Sequence, residues 1–183
     1  MLFKSIIFKF LITLTLILNI SFVTAQNSNV TISTGATANG SWSALSGGIY
    51  TFTPSADNAV VNVSDIQNRL IGSGFTAGNV RIITARAGGG QAGNVVVSNA
   101  ITAASAGRTF TITAAGTITV NAAINLTGAA SSNGGIINFS GNAGITIGAA
   151  ITTTGGSAAG TATAGYNAGT IGLTSSGGGV TVN

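Results

Sequence analysis

Short alternations of apolar and polar residues, separated by glycine-rich bends, recur along most of this chain. Residues 116–128 and 144–156 nearly repeat one another, and a third copy begins at residue 179. Alternation over about four to eight residues is typical of a β-strand with one buried face. Recurrence of such strands every few tens of residues indicates similar units stacked on one another. The pattern therefore predicts an all-β protein built by stacking.

The alternating segments come in pairs, and the second segment of each pair defines the repeat length. These second segments begin at residues 95, 118, 145 and 180, so the successive steps are 23, 27 and 35 residues. The longer steps contain Gly, Ala, Ser and Thr insertions, such as 155–165, which we expect to bulge from one corner. The predicted fold is a β-solenoid of parallel strands with Ile, Val, Leu and Phe pointing into one axial column.

Asparagine recurs near the bends between these strands. Asn tolerates a left-handed backbone, and its side-chain amides can also stack in ladders. We expect one or the other at the recurring positions, which are Asn94, Asn99, Asn121, Asn125 and Asn142.

One segment interrupts the β pattern. Residues 64–67 read Ser-Asp-Ile-Gln, a capping box in which Ser64 is the expected N-cap and Gln67 its partner. Ile66 and Leu70 lie one turn apart, on the same face. We expect a short helical turn near residues 64–71 that covers an open end of the sheets. The predicted organisation is capping strands and this helix over 26–79, then β-helix repeats over 80–183, the last coil being incomplete.

The first 25 residues have the features of a secretory signal peptide. Lys4 and Lys9 supply positive charge, residues 10–20 are mainly apolar, and small residues permit cleavage after Ala25, which leaves Gln26 as the first mature residue. The alternative is an uncleaved membrane anchor, although the apolar run is near the lower length limit for spanning a bilayer. No second hydrophobic segment follows, so we expect export and no transmembrane segment in the mature chain.

The composition of the expected mature chain excludes most kinds of catalytic and metal-binding site. It contains no His, Cys, Glu or Lys, and its two carboxylates are Asp57 and Asp65. We interpret Asp57 as a turn residue after Pro54 and Asp65 as a favourable charge at a helix N-terminus. No catalytic, cofactor-binding or metal-binding residue is predicted, and an enzyme is not expected. Four separated arginines do not form the dense basic stripe that nucleic-acid binding requires.

The repeats resemble those of filamentous haemagglutinin-like adhesins of Gram-negative bacteria. The similarity rests on Gly-Thr-Ile-Thr-Val-Asn-Ala-Ala-Ile at 116–124, on the related segments 93–101 and 144–151, and on 63–70 followed by 78–82. It implies a right-handed parallel β-helix, location at the bacterial cell surface or outer membrane, or secretion, and a role in cell adhesion. Because such proteins are far longer, this chain is expected to be an N-terminal fragment continued by further repeats of the same polypeptide.

Three functional hypotheses follow from the sequence. The first is a surface adhesin segment whose partner is a glycan or a cell-surface protein, the second a structural stalk without a specific ligand. The third is an ice-binding solenoid, suggested by Thr-x-Thr at 111–113, 117–119 and 161–163 but opposed by the uneven steps. Among the aromatic residues, Trp42 and Tyr50 are expected to pack in the core or cap. Tyr166 lies in a glycine-rich insertion and is the tentative surface contact for a sugar.

Overall fold

A computed structural model describes residues 26–158 and 165–183 of the chain. The predicted leader and the cleavage residue Ala25 lie outside the described residues, as does part of the insertion at 155–165. Among the described residues, no helix has the length and apolarity needed to cross a membrane.

Short β-strands and one α-helix make up the described part of the chain. The helix, α1, spans Val63–Ile71. The strands are β1 (Val30–Ser33), β2 (Gly40–Trp42), β3 (Ile49–Pro54), β4 (Ala59–Asn62), β5 (Asn79–Ile83), β6 (Val95–Val97), β7 (Ile101–Thr102), β8 (Thr109–Ala114), β9 (Thr117–Val120), β10 (Ile124–Asn125), β11 (Ile136–Gly141), β12 (Gly144–Ile147), β13 (Ile151–Thr152), β14 (Ile171–Ser175) and β15 (Val180–Val182).

Three sheets collect these strands in rotation. Sheet I has the order β15-β12-β9-β6-β1-β4, sheet II the order β14-β11-β8-β5-β3-β2, and sheet III the order β13-β10-β7. Along the chain, β6, β7 and β8 enter sheets I, III and II, and the next two sets of three strands repeat that sequence. The named pairs are parallel, apart from the antiparallel pair β2–β3. The expectation of a β-rich fold with parallel strands and one short helix is confirmed.

The uneven repeat lengths leave the register intact. Val95 pairs with Ile118, Ile118 with Ile145, and Ile145 with Val180, which reproduces the steps of 23, 27 and 35 residues. The additional residues therefore lie between strands, where extra length costs little because loop-closure entropy grows only slowly with loop length.

Inward residues pack directly over inward residues of the next strand. In sheet I, Val95 and Ile118 are fully buried and Ile145 is 2% exposed. In sheet II, the rings of Phe110 and Phe139 meet edge to face with their centroids 5.6 Å apart. Burying a side chain of this size contributes about 1.5–3 kcal/mol relative to leaving it exposed. Repetition of this contact from strand to strand supplies the core.

Helix α1 lies where sheet III has no further strand. Its buried residues include Ile66 and Leu70, as their spacing predicted, and the side-chain Nε2 of Gln67 donates a 2.7 Å hydrogen bond to the carbonyl oxygen of Thr102 on β7. The helix therefore satisfies part of a strand edge that would otherwise be open.

The predicted N-cap of α1 is wrong by two residues. Asn62 is the N-cap, and its side-chain oxygen accepts a 2.8 Å hydrogen bond from the backbone N–H of Ser64. Asn caps as well as Ser does, and it stands at the end of β4, so the helix begins as soon as the strand finishes. Gln67 is consequently free of a capping role and bonds to β7 instead. At the other end, Gly72 closes the helix with a φ of 84°, a conformation that favours glycine.

Gly134 and Gly169 permit close approach of neighbouring backbone segments. A Cβ added at Gly169 would overlap the carbonyl oxygen of Gly135, and one at Gly134 would overlap that of Thr153. A side chain at either position would push the adjacent segments apart, which explains the absence of larger residues there.

We predict that the core columns are far more sensitive to truncation than the outward positions. Ile118→Ala should lower the free energy of unfolding by about 2–5 kcal/mol, since it opens a cavity between two strands. Thr146→Ala, on the exposed face of the next strand, should change it by less than about 0.5 kcal/mol. Urea unfolding of both variants measures the difference. Equal losses would contradict an inward column at Ile118.

Candidate binding surface

The outward positions of the three sheets form rows of mainly small polar side chains, here called the outer rows. Each row consists of residues paired in register on neighbouring strands, so its members lie one above another. The sheet I row is Thr31, Val96, Thr119, Thr146 and Thr181; the sheet II row is Arg81, Thr111, Asn138 and Gly172; the sheet III row is Thr102, Asn125 and Thr152.

Beyond Arg108 the outer rows carry no charge, because the sequence from 109 to 183 contains no Asp, Glu, Lys or Arg. Their hydroxyl and amide groups can both donate and accept hydrogen bonds. Some of this capacity is used internally: the hydroxyl of Thr127 donates to Oδ1 of Asn125 and lies 3.1 Å from the hydroxyl of Thr154. The surface is therefore chemically suited to an uncharged polar ligand.

The outer rows do not form a uniform threonine array. Val96 interrupts the sheet I row. Gly144 pairs with Thr117, so the Thr-x-Thr of β9 is not repeated on β12. The segment 161–163 lies outside the described residues. Regular Thr-x-Thr spacing on successive strands, which the ice-binding hypothesis requires, receives no support from these rows.

Tyr166, the predicted surface contact, is 43% exposed. Its backbone N–H donates a 3.2 Å hydrogen bond to the carbonyl oxygen of Gly156. An exposed aromatic ring can stack on the apolar face of a sugar. Its contact with a ligand stays a prediction.

Some asparagine side chains link segments that are far apart in the sequence. Oδ1 of Asn94 accepts a 2.8 Å bond from the backbone N–H of Thr117, and Oδ1 of Asn133 accepts one from Asn167 at 3.1 Å. None of the five predicted positions is among the residues with positive φ, which are Asn39, Asn58, Ala106 and Ser131. The left-handed conformation, one of the two alternatives expected for them, is therefore wrong at these positions. Asn94 instead accepts a hydrogen bond from β9, and Asn125 accepts one from Thr127, two residues along the chain.

A cluster that the sequence analysis missed surrounds Arg69, and it is here called the Arg69 cage. The guanidinium carbon lies 4.3 Å from the ring centroids of Trp42 and Phe75 and 5.4 Å from that of Tyr50. Its Nη1 donates a 2.9 Å bond to the backbone oxygen of Asp65 and lies 3.6 Å from the Asp65 carboxylate. Tyr50 is buried, as predicted, and Trp42 packs edge to face against Phe52.

The Arg69 cage holds a charge that is 7% exposed. Burial lowers the pKa of Arg69 from its usual value, and the negative charge of Asp65 opposes that shift. Within the described part of the chain, Nε of Arg69 and Nε1 of Trp42 are buried without a hydrogen-bond partner. The aromatic faces compensate for part of this cost through their negative quadrupoles. The cage thus ties the β2–β3 hairpin and α1 to the segment that follows the helix.

Asp57 forms the second charged cluster. Its Oδ1 accepts hydrogen bonds from Nη2 of Arg86 and from the hydroxyl of Ser28, and Nε of Arg86 donates to the same hydroxyl. The hydrogen bond from Arg86 is the main reason that the pKa of Asp57 lies below its usual value. The carboxylate of Asp57 is therefore already paired with the side chain of Arg86. Across the described ranges, no three His, Cys, Asp or Glu side chains come together in a way that could hold a metal ion.

Exposed apolar side chains occur on β14 and β15, but they do not belong to the outer rows. Ile171 and Val180 are each 44% exposed and Val182 is 67% exposed. Their register partners are the buried Ile137, Ile145 and Ile147. They therefore continue the core columns.

We predict that the Arg69 cage stabilises the amino-terminal part of the fold. Arg69→Met should lower the free energy of unfolding by about 2 kcal/mol, since a desolvated cation–π contact is worth about that much. Arg81→Met, at an exposed site on β5, is the matched control and should be nearly neutral. Arg69→Lys should recover only part of the loss, because an ammonium lacks the planar stacking surface. A neutral Arg69→Met in urea unfolding would contradict the prediction.

We predict that the Asp57–Arg86 pair makes stability depend on pH in acid. The folded pKa of Asp57 is below the ordinary value of 3.8, so the pair contributes fully above that value and is lost as the pH falls through the folded pKa. Wild type should therefore melt at a higher temperature than Asp57→Asn at neutral pH, and the gap should close in strong acid. A gap of constant size in melting curves across this range would refute the assignment.

Comparison with known proteins does not assign the chain to a family. A scan against protein-family models finds no match, and searches of curated proteins and of solved structures find none either.

Proposed function

We propose that this chain is a segment of an exported cell-surface adhesin of the filamentous haemagglutinin-like kind. In this proposal it is a rod that presents the outer rows to a glycan or to a protein on another cell. It needs no catalytic group, cofactor or metal, in keeping with a mature chain that has two carboxylates and no His, Cys, Glu or Lys.

The rod would be a right-handed parallel β-helix in which sheets I, II and III are the three faces. Two observations support this proposal. Strands enter the three sheets in rotation, and each new strand pairs in parallel with the strand one rotation earlier. Right-handed connections between parallel strands are strongly preferred, which supports the handedness. Neighbouring coils would then stand about 4.8 Å apart.

The in-register outer rows are the observation that carries the adhesive role. In sheet I they place Thr119, Thr146 and Thr181 in line on three neighbouring strands, so a polymeric ligand could meet the same hydroxyl group repeatedly. Multiple weak contacts of this kind raise the overall avidity without any single strong site. The uncharged surface beyond Arg108 favours neutral carbohydrate over anionic ligands.

The proposal is tested by binding of the purified full chain to an array of neutral glycans and to whole cells. We predict that Tyr166→Ala weakens glycan binding about tenfold, since ring contact is worth about 0.5–1.5 kcal/mol beyond its buried area. Tyr166→Phe keeps the ring and should bind nearly as wild type. Binding should also be insensitive to salt, because no ion pairs are formed.

The same experiment distinguishes the stalk hypothesis. Absence of binding to glycans and to cells, with a correctly folded chain by circular dichroism, would favour a stalk without a ligand. Binding that disappears at high salt would contradict a neutral ligand.

A further inference from the structure

A small cavity, here called the corner pocket, lies where three strands of sheet II end. Its volume is about 180 Å³, and its walls come from the ends of β5 and β8, from Asn142 after β11 and from Asn27. Ile83 and Thr113, which pair in register, are outward residues of β5 and β8. The corner pocket therefore adjoins the outer row of sheet II.

Asn27 is the buried amide of the corner pocket. It is 8% exposed, and its backbone is held by an antiparallel bridge to Ala85 and by a 3.1 Å hydrogen bond that its carbonyl oxygen accepts from the N–H of Gln91. Among the described residues, its side-chain amide takes part in no hydrogen bond. Because buried polar groups normally have a partner, a polar ligand in the pocket would supply one.

Three further side chains offer hydrogen-bonding groups to the corner pocket. Thr84 is 1% exposed, and its Oγ1 accepts a 3.0 Å bond from the N–H of Ala115, which leaves the hydroxyl proton to donate. Oδ1 of Asn142 accepts from the hydroxyl of Ser176 at 3.2 Å, which leaves its Nδ2 as a donor. The hydroxyl of Thr113 is exposed. Donors and acceptors are thus present at several points around the pocket.

The rest of the lining and the volume limit the ligand. Ile83, Ala85 and Ala115 supply apolar surface, and no lining residue is charged. Pockets for drug-sized ligands measure about 300–1,000 Å³, so this smaller cavity suits a single ring. A pyranose has C–H groups on its face and hydroxyl groups around its rim, which matches an apolar wall with amide and hydroxyl groups beside it.

We propose that the corner pocket binds one uncharged pyranose unit of a glycan. The amide of Asn27 and the hydroxyl of Thr84 bond to sugar hydroxyl groups, while Ile83 packs on the C–H face. This inference rests on the proposed function and gives its neutral carbohydrate a defined subsite. Ser140 pairs with Thr113 on the next strand, so hydroxyl groups continue from the pocket across sheet II towards the next unit of a polymer.

The test is an NMR titration of the purified full chain with three probes: the methyl glycosides of glucose, galactose and mannose. At least one is expected to shift the side-chain amide signals of Asn27 and the backbone amide signal of Ala115, saturating in the millimolar range. Weak binding is expected because a single ring makes few contacts.

Two variants and one control locate the binding. Asn27→Ala removes the amide and should weaken the affinity about tenfold, as expected for loss of hydrogen bonds to a neutral ligand. Ala85→Leu fills the pocket from an exposed position and should abolish binding while the chain melts near the wild-type temperature. Thr111→Val, on the same strand as Thr113 but outside the pocket, should bind as wild type.

The outcomes separate this subsite from the adhesive role. No shift at Asn27 with any of the three glycosides overturns the corner pocket, as does wild-type affinity in both Asn27→Ala and Ala85→Leu. If the glycan array or whole cells still bind the chain, the adhesive function stands without the pocket. Glycoside binding at Asn27 in a chain that binds neither the array nor cells supports the pocket and overturns the adhesive function.

Discussion

Pairing of inward residues with inward residues, strand over strand, is the constraint on which this fold depends. A slip of one residue would turn a whole row of aliphatic side chains outward. Charges cannot enforce the register of the strands that follow Arg108, since no charged side chain occurs after it. The aliphatic columns do so, aided by the side-chain oxygen of Asn94, which accepts a hydrogen bond from the backbone N–H of Thr117 on β9. Apolar burial and backbone-directed hydrogen bonds thus replace ion pairs as the source of specificity.

Charged and aromatic residues concentrate where the regular stacking begins. The antiparallel β2–β3 hairpin and α1 depart from the rotation of strands through the three sheets, and the Arg69 cage holds both of them. The Asp57–Arg86 pair similarly fixes the segments around residues 28, 57 and 86. Each of these contacts occurs once and does not recur from strand to strand. Such contacts suit a region that covers strand edges and does not add further strands to the sheets.

The same division separates the outer rows from the contacts that stabilise the fold. Stability comes from the interior columns and from the amino-terminal clusters, so the outward side chains of the later strands are under little structural demand. Thr119 and Thr146, which are paired across neighbouring strands, place their hydroxyl groups on the outward face. A surface of this kind can change its ligand by substitution without loss of the fold. That freedom is what the proposed adhesive role would use.

The sequence by itself determined the alternation of inward and outward residues, the steps of 23, 27 and 35 residues and the position of the helix, because these depend on local periodicity. It misplaced the N-cap, since Asn62 and Ser64 are both good caps and only the end of β4 selects the first. The spacing of Asp65 and Arg69 was a local signal of their contact. The aromatic rings around Arg69, however, come from positions 42, 50 and 75, and only the tertiary structure brought them together. Only the tertiary structure likewise aligned the outer rows. Because the insertions between strands are uneven, the sequence does not show which outward residues become neighbours.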